Sequence, residues 1–179
     1  MDYVIVDLEA TCWEQGTKVE KMEIIEIGAV YVEGERFDEI SEFQTFVKPS
    51  INPIISDFCS KLTHIKQTKI DAAPSFGDGF QKFINWIGDN PFRLCSWGDF
   101  DYQLFCHELK RCSMEWPEAF LGHINLKKVY ADIYNTRQLG LRGALQKQGM
   151  SFEGAHHRGI DDARNVVRIA KIILPVFAS

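Results

Sequence analysis

The sequence predicts an α/β fold, a mixed sheet flanked by helices, and two observations carry that prediction. Three β-branched apolar runs open the chain, and after them amphipathic helical patterns alternate with shorter strand-like runs. Composition adds a bound. A length of 179 residues, 45% hydrophobic and 25% charged, is expected to close around one core, so residues 1–179 read as a single domain.

The first run, Tyr3-Val4-Ile5-Val6-Asp7-Leu8-Glu9, contains no Gly or Pro and reads as a strand. Alternation places Tyr3, Ile5, Asp7 and Glu9 on one face and Val4, Val6 and Leu8 on the other. Both faces begin apolar, so the strand is expected to be central, with its two acids emerging together at the C-terminal end. Residues 24–32 and 37–47 follow as two strands joined near Glu33-Gly34-Glu35. Residues 55–62 and 76–87 have helical patterns, the second with Trp86 in the core. Phe92 to Leu94 and the segment through Trp97 read as a short buried strand that Gly98 ends.

A helix then begins, in which Asp101 shares a stripe with Leu104, Phe105, Leu109 and Cys112, while Asp99 is placed to cap the first turn. Residues 124–126 are expected to be a short strand, followed by a helix through Tyr134 and another over 141–148. The last helix spans residues 160–174. Ala163, Val166, Val167, Ile169, Ala170 and Ile173 form its apolar stripe; Asp161, Arg164, Asn165, Arg168 and Lys171 form its polar side.

Four acids on these elements point inward. Asp7 and Glu9 end the first strand. Asp101 is in phase with its helix's apolar stripe, and Asp162 is in line with Val166, Ile169 and Ile173, whereas Asp161 faces Arg164 and Asn165. Inward carboxylates need a counter-charge, and a pair of divalent ions is the simplest one four acids can share. Oxygen donors suit hard Mg²⁺ or Mn²⁺ rather than zinc. Five positions before Asp162, His157 lies in a Gly-flanked loop. An ordinary imidazole pKa of about 6.5 suits a general base there.

Asp-x-Glu, the central Asp and His-x-x-x-x-Asp, in this order and spacing, resemble the DEDDh branch of the DnaQ-like 3′–5′ exonucleases. The similarity is greater to the subfamily of 3′ histone mRNA exonucleases and KapD-like proteins. It is carried by Asp7-Leu8-Glu9-Ala10-Thr11-Cys12, Glu23-Ile24-Ile25-Glu26, Phe46-Val47-Lys48-Pro49 and Ser56-Asp57-Phe58-Cys59 with Leu62-Thr63. Trp97-Gly98-Asp99-Phe100-Asp101 and the His156-His157 and Asp161-Asp162 pairs complete it. The resemblance runs from Tyr3 to about Leu174. It implies an RNase H-like fold, with a mixed five-stranded sheet, three leading antiparallel strands and helices on both faces.

The resemblance further implies a two-metal phosphodiester hydrolase releasing 5′-mononucleotides from single-stranded 3′ ends or short 3′ overhangs. Asp7, Glu9, Asp101 and Asp162 would hold two Mg²⁺ or Mn²⁺ ions, with Glu9 also catalytic. His157, which the resemblance selects over His156, would accept the proton of the attacking water. Backbone groups of Ala10 and Thr11 would face the terminal nucleotide, the Thr11 N–H serving its 3′-hydroxyl, with Leu62 and His157 nearby. Trp13, Phe58, Trp97 and Phe100 are stacking candidates because aromatic faces accept any base; Trp97 and Phe100 serve equally well as core. Two features depart from the family. The nucleic-acid-binding domain of the animal histone-mRNA enzymes has no counterpart in this sequence, and His64 stands where relatives often have glycine, a bulk expected to narrow the nucleotide's wall.

The leading reading is an exoribonuclease acting on RNA. A proofreading or repair exonuclease acting on DNA shares the chemistry, since 2′-hydroxyl contacts decide between them. A non-catalytic KapD-like regulatory protein would be expected to lack one of the carboxylates, and none is missing. A net charge of −5 is unusual for a nucleic-acid enzyme. Lys61, His64, Lys66 and Lys69, and also Arg137, Arg142 and Lys147, are mostly expected to be solvated surface. No apolar run approaches the roughly 20 residues of a membrane span, and no signal peptide is expected before the first strand. Five cysteines without a C-x-x-C pair suggest reduced thiols and a cytoplasmic setting.

Overall fold

The computed structural model describes residues 1–177. Strand β1 (Asp2–Ala10) lies at the middle of a five-stranded sheet of order β3-β2-β1-β4-β5. It runs antiparallel to β2 (Ile24–Val32), which pairs antiparallel with β3 (Glu39–Phe46). On the other side β1 runs parallel to β4 (Phe92–Ser96), and β4 runs parallel to β5 (Phe120–Asn125). The mixed sheet with three leading antiparallel strands is as expected.

Helices cover both faces. The chain order is α1 (Asp57–Thr63), α2 (Gln67–Asp71), α3 (Phe76–Ile87), α4 (Phe100–Arg111), α5 (Leu126–Ile133), α6 (Leu141–Lys147) and α7 (Gly159–Phe177). Tyr3 and Ile5 of β1 pack with the apolar stripe of α7 and with α5 and α6. Val4, Val6 and Leu8 pack with α3 and α4 around Phe80, Phe83 and Phe105. The alternation of β1 therefore divides the interior into two cores, and β2, buried at every position, separates them beside it.

One close approach sets the site. A Cβ on Gly28 of β2 would collide with the Gly159 backbone, and a Cβ on Gly159 would lie 2.8 Å from the Asp7 carbonyl oxygen. Only glycine at both positions lets the start of α7 rest on β1 and β2. That contact brings the first turn of α7 to the end of β1 where the acids emerge.

Several local expectations are corrected. The last strand begins at Phe120, and Leu126 belongs to α5, because Asn125 caps that helix by accepting the Lys128 N–H. Helix α2 and a 3-10 turn at Val19–Lys21 carry too few residues to show a period. Cys112 is exposed at the end of α4 rather than on its stripe. Trp86 packs on the α3/α4 core but is only half-buried. Asn165 is buried, not on the polar side: its amide donates to the Glu153 and Asp161 carbonyls and accepts the Glu153 N–H. Among the described residues no helix is long and apolar enough to cross a membrane.

Candidate active site

Asp7 and Glu9 leave β1 on one face just before a register shift at Glu9/Ala10. Asp162 arrives from the first turn of α7, and ligand oxygens of Asp7, Glu9 and Asp162 lie within 4.8 Å of one another. Asp101, in the first turn of α4, fastens itself to the strand, since its Oδ1 accepts the Leu8 N–H at 2.9 Å. All four acids line one cavity of about 340 Å³, together with His156 and His157. The two acids chosen by helical phase, Asp101 and Asp162, are buried there. Asp161 lies outside and pairs with Arg164 at 2.8 Å.

The electrostatics are those of a site short of positive charge. Burial, followed by repulsion from Asp101, Asp162 and Glu9, holds the Asp7 carboxyl well above its ordinary range. Burial and Asp162 push Glu9 up to about 8, and burial carries Asp101 to about 6. Asp162 is also raised by burial, opposed by His156. No protein group among the described residues donates a hydrogen bond to the carboxylates of Asp7 or Glu9. An all-oxygen set that repels itself, with Asp7 and Glu9 lacking donors, fits a hard divalent cation.

The two histidines stack on each other, ring centroids 4.0 Å apart. His156 Nδ1 contacts Asp162 Oδ1 at 3.0 Å. His157 has a left-handed backbone (φ 61°) and faces the same cavity. Burial and neighbouring His156 lower its pKa, which keeps the ring neutral near pH 7 and able to accept a proton.

The rest of the predicted site divides. Ala10, Leu62, Trp97 and Phe100 line the cavity. Trp97 is partly buried against the core that α7 covers, its Nε1–H donating to the Leu139 carbonyl, and it also lines the cavity. Phe58 and Trp13 do not line it; they line a separate depression together with residues 14–17, Ser56 and Asp57. The Thr11 N–H is committed to the Glu23 carbonyl at 2.9 Å and so does not serve a 3′-hydroxyl here, while the Thr11 hydroxyl accepts the Glu23 N–H. Asp99 stands at the N-cap of α4 without making a capping bond, and its carboxylate lies 3.8 Å from His123. His64 is exposed in a left-handed conformation (φ 60°) at the end of α1, which explains a glycine preference at that position. It lines a neighbouring depression rather than the acidic cavity.

Sequence reasoning missed the support for the His157 loop. Arg158 binds the fully buried Glu26 of β2, Nε to Oε2 at 3.1 Å, while its backbone N–H donates to Asp162 Oδ2. Gln44 Nε2 donates to Glu26 Oε1 at 2.6 Å, and the Arg158 guanidinium lies over the Phe46 ring. Glu26 pairs with Glu9 across the sheet. An ion pair spanning most of the chain leaves no periodic signal. Met22, Cys12 and Leu141, which also line the cavity, are apolar residues with no mark of function.

Comparison with known proteins gives a consistent picture. The RNase T family model, described as exonuclease, matches residues 4–170. ERI1 exoribonuclease 2 of Xenopus laevis is 34% identical over 189 residues, covering 93% of this chain and 27% of that protein. The 3'-5' exoribonuclease 1 of Homo sapiens is 34% identical over 180 residues, covering 94% of this chain and 51% of its own length. The chain thus spans about half or less of these relatives. The nuclease domain of 3'hExo, a DEDDh family member solved with rAMP, superimposes with a TM-score of 0.88 at 31% identity, over 98% of this chain and 92% of that one.

Proposed function

Because this chain belongs to the exonuclease family, and within it to the DEDDh type, we propose that it is a 3′–5′ exoribonuclease that removes 5′-mononucleotides from single-stranded RNA ends. The observation that carries the reading is the cluster of Asp7, Glu9 and Asp162 oxygens, with Asp101 beside them and His157 facing the same cavity. The RNA preference is supported by relatives named as exoribonucleases. The match over residues 4–170 supports one exonuclease domain across 1–179, and five free thiols suit a cytoplasmic setting.

Asp7, Glu9, Asp101 and Asp162 would hold two Mg²⁺ or Mn²⁺ ions. Bound there, such ions supply the positive charge that polarises a phosphodiester and makes water more acidic. The chain's own residues do the rest. Neutral His157 takes the proton of the attacking water, and the Glu26–Arg158 pair holds its loop. Trp97, Phe100 and Leu62 offer an apolar wall to the terminal base and exclude water from the cavity.

The test is hydrolysis of 5′-labelled single-stranded RNA and DNA of one sequence with Mg²⁺ or Mn²⁺. Stepwise shortening from the 3′ end, faster on RNA, is expected. Activity that persists in excess EDTA overturns the metal assignment, and faster cleavage of DNA overturns the substrate.

A further inference from the structure

Beside the acidic cavity lies a second one of about 440 Å³ with the opposite charge. His64, Lys66, Lys69 and Arg158 line it, with Phe46 and Gln44 of β3. The two lysines and the arginine come from stretches far apart in sequence, and the α1–α2 connection brings the lysines to Arg158. Lys66 and Lys69 are exposed and no acidic side chain among the described residues pairs with either. Arg158 already carries its counter-charge in Glu26, so that carboxylate leaves the lysines unneutralised. In a chain of net charge −5, Lys66 and Lys69 are a local positive surface that no acidic side chain among the described residues neutralises.

Its position connects it to the site. Phe46 pairs with Glu26, and Glu26 pairs with Glu9, on successive strands. With neighbouring strands about 4.8 Å apart, the Phe46 wall stands roughly 10 Å from Glu9 across the same end of the sheet. That is slightly more than one Debye length at physiological salt, so a polyanion must reach the basic cavity itself rather than sense it from the acids. Arg158 links the two cavities, its backbone N–H donating to Asp162 Oδ2 and its side chain forming part of the second cavity's lining.

We propose that this basic cavity is a phosphodiester-binding site that holds the backbone of the substrate RNA outside the nucleotide being removed. It rests on the exoribonuclease reading. The acids and the apolar wall handle the terminal nucleotide; Lys66 and Lys69 grip phosphates that a very short substrate lacks. The contact is electrostatic and independent of base sequence, because lysine meets phosphate as a point charge.

The experiment compares the native chain with the Lys66→Ala/Lys69→Ala variant on a single-stranded RNA about a dozen nucleotides long and on a dinucleotide. Both exchanges are at exposed positions outside the catalytic residues. The expected result is a rise in KM of roughly tenfold on the long RNA, kcat unchanged, and no effect on the dinucleotide. The slope of log KM against log salt on the long RNA should fall by about 1.4, or 0.7 for each of two phosphate contacts. An equal loss on both substrates, or a KM on the long RNA within twofold of native with an unchanged salt slope, overturns the proposal. If the native chain hydrolyses neither substrate, the exoribonuclease reading fails instead. Fluorescence anisotropy of the labelled long RNA then judges the cavity alone: weakened binding by the variant supports it, and equal binding overturns it.

Discussion

Two groups of buried carboxylates sit in this molecule, and they are treated in opposite ways. Glu23, at the start of β2, accepts the backbone N–H groups of Ser50, Ile51 and Asn52 and the Asn52 side-chain amide. Glu108 of α4 accepts the Ile24 N–H and pairs with Arg111 at 2.9 Å. Half-buried Asp7 and buried Glu9, on the neighbouring strand β1, receive no hydrogen bond among the described residues. The consequence is visible in their protons: although burial opposes it, the donors around Glu23 hold its carboxyl below the ordinary value, while burial and Asp162 push Glu9 to about 8. Burial alone therefore does not mark a functional acid. A carboxylate buried without donors, next to others like it, does.

The widest separation between the groups is expected in catalysis. Asp7→Asn or Asp162→Asn should lower turnover of labelled RNA by about 10³-fold or more, the several kcal/mol that metal charge contributes to a phosphoryl transition state. The same exchanges remove repulsion, so the metal-free melting temperature should hold or rise. A catalytic acid whose amide both keeps activity and melts early would erase the distinction. His157→Ala should cost about 10²–10⁴-fold in kcat with metal affinity retained, the range for a lost general base. His156→Ala should cost less. The reverse order, measured in one assay, would give the base role to the residue that contacts Asp162.

Glu23→Ala should act on the other side of the comparison. It strands three backbone donors that no longer have an acceptor, and a loss of about 2–4 kcal/mol in unfolding free energy by urea titration is expected. Turnover below the melting transition should stay within a few-fold of native. Were activity to collapse while stability held, Glu23 would belong with the catalytic acids.

How much of this contrast the sequence could show depends on distance along the chain. Strand alternation placed Asp7 and Glu9 together, and helical phase chose Asp162 over Asp161 and Asp101 over Asp99, since an element's inward face is a local property. Which buried acid finds donors is not local. Glu23 is satisfied by a loop some 27 residues later, and Glu26 by Arg158, 132 positions away. Asp99 failed as a cap although type and position suited it, because its backbone is already in the helical region and its carboxylate is drawn toward His123. Thr11 failed because β1 runs one residue beyond the acids before Glu23 captures it. Phe58 lost its place when α1 turned that face outward, and Asn165 looked polar because a buried amide with three local backbone partners has the same letter as a solvated one.

The last prediction uses pH to set the two groups against each other in the metal-free protein. Glu9 has a folded pKa raised from 4.5 to about 8. Its contribution to stability is full below pH 4.5 and is lost as pH rises through 8. Glu23 has a lowered folded pKa, so its contribution is full above 4.5 and is lost as pH falls through that lower value. In EDTA the melting temperature should therefore pass through a maximum in mildly acid solution, with the alkaline limb worth roughly 1–3 kcal/mol once water in the cavity is allowed for. Glu9→Gln should shrink the alkaline limb, the raised Asp7, Asp101 and Asp162 carboxyls carrying its remainder, and Glu23→Gln should act on the acid limb. Adding Mg²⁺ or Mn²⁺ should flatten the alkaline limb of the native chain further than Glu9→Gln does, because a bound cation supplies charge to all four acids. A limb that survives both the metal and Glu9→Gln would mean that the repulsion among Asp7, Glu9 and Asp162 is not what the cation relieves.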